Sequence, residues 1–224
     1  MFKANLVTVL GMSIALFACS PTEMPSRGMN LASPEVPDIA QQVPSVAPQY
    51  NVVGYDVVAP RSLLVSEADI YLPIADIVWH GDPAGDRYEQ ITKIFETALA
   101  RTAQDMTKGR DVEVVVQIRK FHALTPKTRA TVGGNFAMQF YMTVFDAVTN
   151  EILDGPRLVI ADTPASGGVR ALREEQRGIT QKSVITNRLV EVFDEELSRP
   201  GRASETLGFV SRDDFSPSDL TLVQ

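Results

Sequence analysis

One cysteine, two histidines and one tryptophan are all that this 224-residue chain holds of those types. A lone Cys cannot form an intrachain disulfide, and a cysteine-rich zinc cluster is excluded with it. Basic residues are also outnumbered: 21 Lys and Arg stand against 28 Asp and Glu, a formal net charge of −7. That balance lacks the basic footprint that nucleic acid demands. No apolar run reaches the roughly 20 residues that carry a helix across a hydrocarbon core. No Ser sits in a Gly-x-Ser-x-Gly elbow. Gly133 and Gly134 precede a predicted strand with no Lys-Ser/Thr pair behind them, so they read as a tight turn and not as a phosphate loop. What is present is ordinary. With 44% hydrophobic and 22% charged residues, the chain has the composition of one folded domain with tails, not of a disordered or multi-pass protein.

The first segment reads as an address. Lys3 is followed by an apolar run from Leu6 to Ala18, broken only by Thr8, Gly11 and Ser13, which is the layout of a secretory signal peptide over residues 1–18. As a helix this run spans about 20 Å, too short for a bilayer. Leu16, Phe17, Ala18 and Cys19 resemble the bacterial lipobox, with Phe17 bulkier than the usual Ala, Ser or Thr. The resemblance implies diacylglycerol in thioether linkage to Cys19, cleavage after Ala18 and N-acylation of the new terminus. Several acyl chains, at about 0.8 kcal/mol per buried methylene, hold a protein to its membrane essentially permanently, and an acylated Cys19 is no nucleophile. Ser20 and Pro21 follow without an Asp, which resembles outer-membrane cargo of the enteric type. The expected location is the bacterial envelope, lipid-anchored and facing the periplasm, at the outer membrane rather than the inner.

Residues 19–49 then carry Pro21, Pro25, Pro34, Pro37, Pro44 and Pro48 without a hydrophobic period. Proline removes backbone donors, so this stretch reads as a tether. Residues 200–224, opening on Pro200 and Gly201, read as a tail. Between them, 50–199 is the globular domain. Residues 52–65 are β-branched up to Pro60, a first strand. Tyr88, Ile91, Ile94, Phe95, Ala98 and Leu99 keep helical period over 86–102, with Asp86 and Glu89 at capping-box spacing. Val112, Val114, Val116 and Ile118, then Phe136 to Val144, alternate as strands, and Asn150 turns the chain into a third through Ile152 to Ile160, where Pro156 demands an edge or a bulge. Gly167 and Gly168 read as a mobile loop leading to a last helix over 180–199. The expectation is an α+β domain: an antiparallel sheet of three to four strands with two helices on one face, in the order β-α-β-β-β-α.

Three stretches, residues 72–99, 116–140 and 178–197, resemble an uncharacterised family of Gram-negative bacterial lipoproteins, a domain of unknown function. The resemblance implies a location and a fold, and no catalytic residue. The strand ending in Asp146 before a hairpin also resembles periplasmic auxiliary lipoproteins that assist transport or assembly.

Two clusters carry candidate chemistry. Trp79 to Arg87 gathers His80, Asp82 and Asp86 at a helix start, where they would be metal ligands or an acid/base pair, or alternatively a helix cap and turn with Trp79 anchoring the loop. The other histidine, His122, lies on a separate strand. Across residues 108–130, Lys108, Arg110, Arg119, Lys120, Lys127 and Arg129 face only Asp111 and Glu113. Arg119, Lys127 and Arg129 are the candidate contacts for an acidic partner or lipid headgroups, set against a merely solvated face. The function expected is a non-enzymatic binding, assembly or transport auxiliary, membrane-bound through the lipid on Cys19 and contacting an envelope protein or acidic envelope component, with no cofactor, metal or nucleic acid. The alternatives are a hydrolase or metal-dependent enzyme on the His80/Asp82 loop, and a small-ligand or lipid-binding module.

Overall fold

The alternation of Val112, Val114, Val116 and Ile118 puts four β-branched side chains on one face of a strand, and in the computed structural model all four are fully buried. The structure describes residues 50–199; the leader, Cys19, the tether and the tail lie outside it. Along the chain run β1 (Tyr50–Val58), β2 (Ile77–Val78), α1 (Arg87–Asp105), β3 (Arg110–His122), α2 (Pro126–Ala130), β4 (Gly134–Asp146), β5 (Ile152–Ile160), β6 (Thr163–Ala165), α3 (Gly168–Gln176) and α4 (Gln181–Leu197). The fold is mixed α+β, a six-stranded sheet with four helices among the described residues.

The sheet order is β1-β3-β4-β5, and it is not purely antiparallel. β1 runs parallel to β3, with Val52 beside Val112 and Val57 beside Val116. The reason lies in the connection: α1 intervenes, and a strand followed by a helical crossover returns to the sheet in the same direction. β2 adds a short parallel pairing beside Phe121 and His122. β3, β4 and β5 are antiparallel, as their short connections require. β6 continues the line of β5 along β4, pairing Thr163 with Phe136 and Ala165 with Gly134. Pro156 does lie in an edge strand, in a cis Gly155–Pro156 bond beside a register shift.

Both long helices cover one sheet face. Phe95 of α1 stands 5.3 Å from the Phe140 ring, 6.2 Å from Phe121 and 6.3 Å from Phe193 of α4. Ile91, Ile94, Ala98 and Leu99 share its stripe, and Ile185, Leu189, Val192 and Leu197 meet them from α4. Phe136, Met138, Phe140, Met142 and Val144 of β4 belong to the same core. The ends of these elements are closed by short polar side chains. Asp86 Oδ1 accepts the Glu89 N–H at 3.2 Å, and Thr180 with Ser183 forms a reciprocal capping box on α4. The β4–β5 turn is held by Asp146, whose Oδ1 accepts the N–H groups of Val148 and Thr149 at 2.8 and 2.6 Å while Asn150 takes φ 59°. The segment after Gly167 is the helix α3, not an irregular loop. No helix among the described residues is long and apolar enough to cross a membrane.

Candidate functional site

Trp79 is fully buried and packs edge-on against Phe121 at 5.6 Å. Its position fixes the loop that follows. The indole Nε1 donates to Asp82 Oδ2 at 3.0 Å, and Lys182, at the start of α4, donates to both Asp82 oxygens at 2.8 and 2.9 Å. Arg87 is buried. Its Nε and Nη2 grip Glu67 at 2.7 and 2.9 Å, and its Nη1 donates to the carbonyls of Asp82 and Pro83, both at 3.1 Å, and to Gln90 Oε1 at 2.7 Å. The loop is thus tied to α1, to α4 and to the segment after β1. Burial alone would raise the pKa of Asp82, but the hydrogen bonds from Lys182 and Trp79 outweigh it and hold the carboxyl below its usual range. Bonding to Arg87 likewise holds Glu67 low. Both are carboxylates at neutral pH whose lone pairs are already engaged, which suits fastening better than proton transfer.

The structure does not join the histidines to this carboxylate. His80 is half-buried, and its Nε2 is enclosed without a hydrogen-bond partner among the described residues. His122 Nε2 donates to the Ala75 carbonyl at 2.7 Å, and burial lowers its pKa, so the ring is neutral. Asp86 caps α1 and pairs with Arg61 at 2.7 Å. Among the described residues no group of three or more His, Cys, Asp or Glu is placed to hold a metal ion.

These shifts set a pH dependence. The folded pKa of His122 is depressed, so its contribution is full above the unfolded value near 6.5 and is lost as pH falls. The folded values of Asp82 and Glu67 are also depressed, so theirs is present above about 4 and is lost below it. Urea midpoints should therefore decline first below about pH 6.5 and again below about pH 4. His122→Gln should remove the first decline, and Asp82→Asn should make the second shallower without abolishing it, since the carboxyls of Glu67, Asp86, Asp146 and Glu174 are held low as well. A midpoint constant from pH 7.5 to 3.5 would contradict both assignments.

The basic cluster divides. Arg119 is exposed at the bulge between Ile118 and Lys120. Lys127 is exposed on α2, its Nζ 4.7 Å above the Tyr71 ring and its backbone N–H donating to Asp69 Oδ1 at 2.7 Å. Arg129 is not on a solvated turn. The short helix α2, capped by Thr125, turns it against α3, where it is buried with Nε donating to Glu175 Oε1 at 2.8 Å. Sequence reasoning passed over a neighbouring feature: Leu72 is 85% exposed and Ile74 99%. The signal was the apolar stretch Ile70, Tyr71, Leu72, Pro73, Ile74 standing outside any helical or strand period.

No curated protein matches the chain. Among solved structures, a Xanthomonas campestris protein of the family DUF330 is similar at 14% identity and a TM-score of 0.43, covering 68% of this chain and 85% of its own. The model of a family of unknown function matches residues 50–212, more than half the sequence and the whole of the domain described above, and the chain therefore belongs to that family, DUF6778.

Proposed function

We propose that this protein is a lipid-anchored envelope domain that faces the periplasm and acts by binding, as an assembly or transport auxiliary, rather than by catalysis. The observation that carries the reading is the single Cys of the chain, Cys19, standing at the end of a short apolar run and followed by a Pro-rich tether. The geometry of the loop at Asp82 supports its second half, since that carboxylate is bonded to Trp79 and Lys182 as a structural tie and is not joined to either histidine. Outer-membrane attachment is favoured by the absence of Asp after Cys19.

The test is acylation in cells. The wild type is expected to take up a palmitate analogue and to fractionate with membranes. Cys19→Ala, which removes the only thiol able to form the thioether, should abolish labelling and either release the domain to the soluble periplasm or leave it unprocessed. Labelling that survives this substitution would overturn the anchor.

A further inference from the structure

Two arginines among the described residues are buried, Arg87 and Arg129, and they are bonded differently. Arg87 turns the Nε–Nη2 edge of its guanidinium to Glu67, and both nitrogens donate, one to each carboxylate oxygen, at 2.7 and 2.9 Å. This is the two-pronged pairing that a planar guanidinium favours. Arg129 meets Glu175 through Nε alone, at 2.8 Å to Oε1, and its Nη2 is enclosed without a hydrogen-bond partner among the described residues. A buried donor without an acceptor is costly and uncommon. The edge that is filled in Arg87 is half-filled in Arg129.

This arginine borders a cleft. Between α2 and α3 lies a cavity of about 460 Å³ walled by Pro126, Ala130, Val169, Ala171 and Leu172, with Arg129 and Glu175 as its charged residues. The volume is that of a small-ligand site, and apolar walls with one guanidinium suit a molecule that is itself apolar with a charged head. Val169 and Leu172 leave 65% and 55% of their surface exposed. Gly168 and Val169 open α3 on the same cleft, and their N-cap Gly167 brings no side-chain acceptor, so the positive end of that helix adds to the guanidinium. The two helices are held in place where the main chains of Gly133 and Gly167 meet too closely to admit a Cβ. The walls are therefore pre-formed.

We propose that this cleft binds an aliphatic monocarboxylate, whose head takes both Nε and Nη2 of Arg129 in place of Glu175 and whose chain lies against Ala130, Val169 and Leu172. The exchange replaces one carboxylate by another, so charge stays balanced. The Glu175 side chain is 51% exposed, and its carboxylate passes into water on release, whereas the incoming head gains the second hydrogen bond that Glu175 does not make. A dianion such as phosphate is matched less well, because Glu174 and Glu175 stand on the same helix as the cleft's wall, and it draws nothing from the aliphatic lining. The site is independent of the envelope reading, and its test leaves Cys19 out, so that the two fail separately.

A chain beginning at Ser20 keeps every residue of the hydrophobic core, all of which lie between Tyr50 and Leu197. It is titrated with sodium octanoate, below the concentration at which octanoate forms micelles, and amide shifts are followed by NMR. Shifts should move at Arg129, Gly168 and Leu172. Octanoate should bind about threefold or more tightly than hexanoate, through the methylenes it adds to the cleft, while octylammonium and inorganic phosphate leave the same shifts in place. Glu175→Gln removes the competing charge but keeps an acceptor for Nε, and should tighten binding by about threefold or more. Arg129→Gln should weaken it by about tenfold or more. Val169→Asn with Leu172→Asn, both changes on exposed side chains, should weaken it by about fivefold while the melting midpoint stays put. A pair that served structure alone would lower the midpoint in both the Arg129 and the Glu175 variants and bind no octanoate. The proposal is overturned if octanoate binds neither the wild type nor Glu175→Gln, if phosphate binds as tightly as octanoate, or if Glu175→Gln weakens binding. If Arg129→Gln does not fold, the Glu175 variant and the Val169/Leu172 variant decide between the same outcomes.

Discussion

Phe95→Ala should lower the stability of the domain by about 3–5 kcal/mol, the range for truncating a buried aromatic. Phe95 is fully buried and is the ring on which α1, β3, β4 and α4 converge, touching Phe121, Phe140 and Phe193. Its loss leaves a cavity bounded by rings fixed on a sheet and a second helix, which cannot all close on the gap. Each edge-to-face contact forfeited adds roughly 0.5–1.5 kcal/mol beyond area. Phe95→Leu should recover about half of the loss. Urea unfolding followed by circular dichroism reads the difference, and a midpoint within error of the wild type would show that the helices do not share one core.

Gly167→Ala should be nearly as damaging, for a different reason. The backbone of Gly167 is extended, at φ −127°, so any residue adopts it. Space is the constraint. An added Cβ would lie 2.0 Å from the Gly133 nitrogen and 2.5 Å from its Cα, and these are main-chain atoms that cannot rotate aside. Either α3 or the turn after α2 must move, at a cost of about 3 kcal/mol or more. Gly178→Ala is the control: its φ of +76° strains an alanine, but nothing lies within 4 Å, so about 1 kcal/mol is expected. If Gly167→Ala proved the milder of the two, the contact between those segments would be wrong.

What the sequence disclosed and what it hid divide along physical lines. Period and caps are local, so α1, α4, β3, β4 and β5, the Asp86 cap and the positive φ of Asn150 were all legible. Pairing is not local. The direction of β1 depends on α1 lying between it and β3, and the antiparallel expectation overlooked that crossover. The helix α3 hides because Ala171 is its only buried residue, so it offers no stripe to read. Arg129 looked like one more cation on a turn because its partner, Glu175, lies 46 residues further on. The Asp86 cap and the Trp79 anchor lie within the loop's own stretch of sequence, whereas Lys182, the partner of Asp82, is one hundred residues away and leaves no local signal.

The parallel edge strand has a mechanical consequence. β1 starts where the preceding chain enters and runs toward the end that bears Leu72 and Ile74, with its hydrogen bonds to β3 made along nearly its whole length. A pull on the chain ahead of Tyr50, with that far end held, is directed along the strand axis. Such a force loads the β1–β3 bonds in shear and together, whereas a pull across the sheet would open them in succession from one end. The attachment has the geometry of a lap joint rather than a zip.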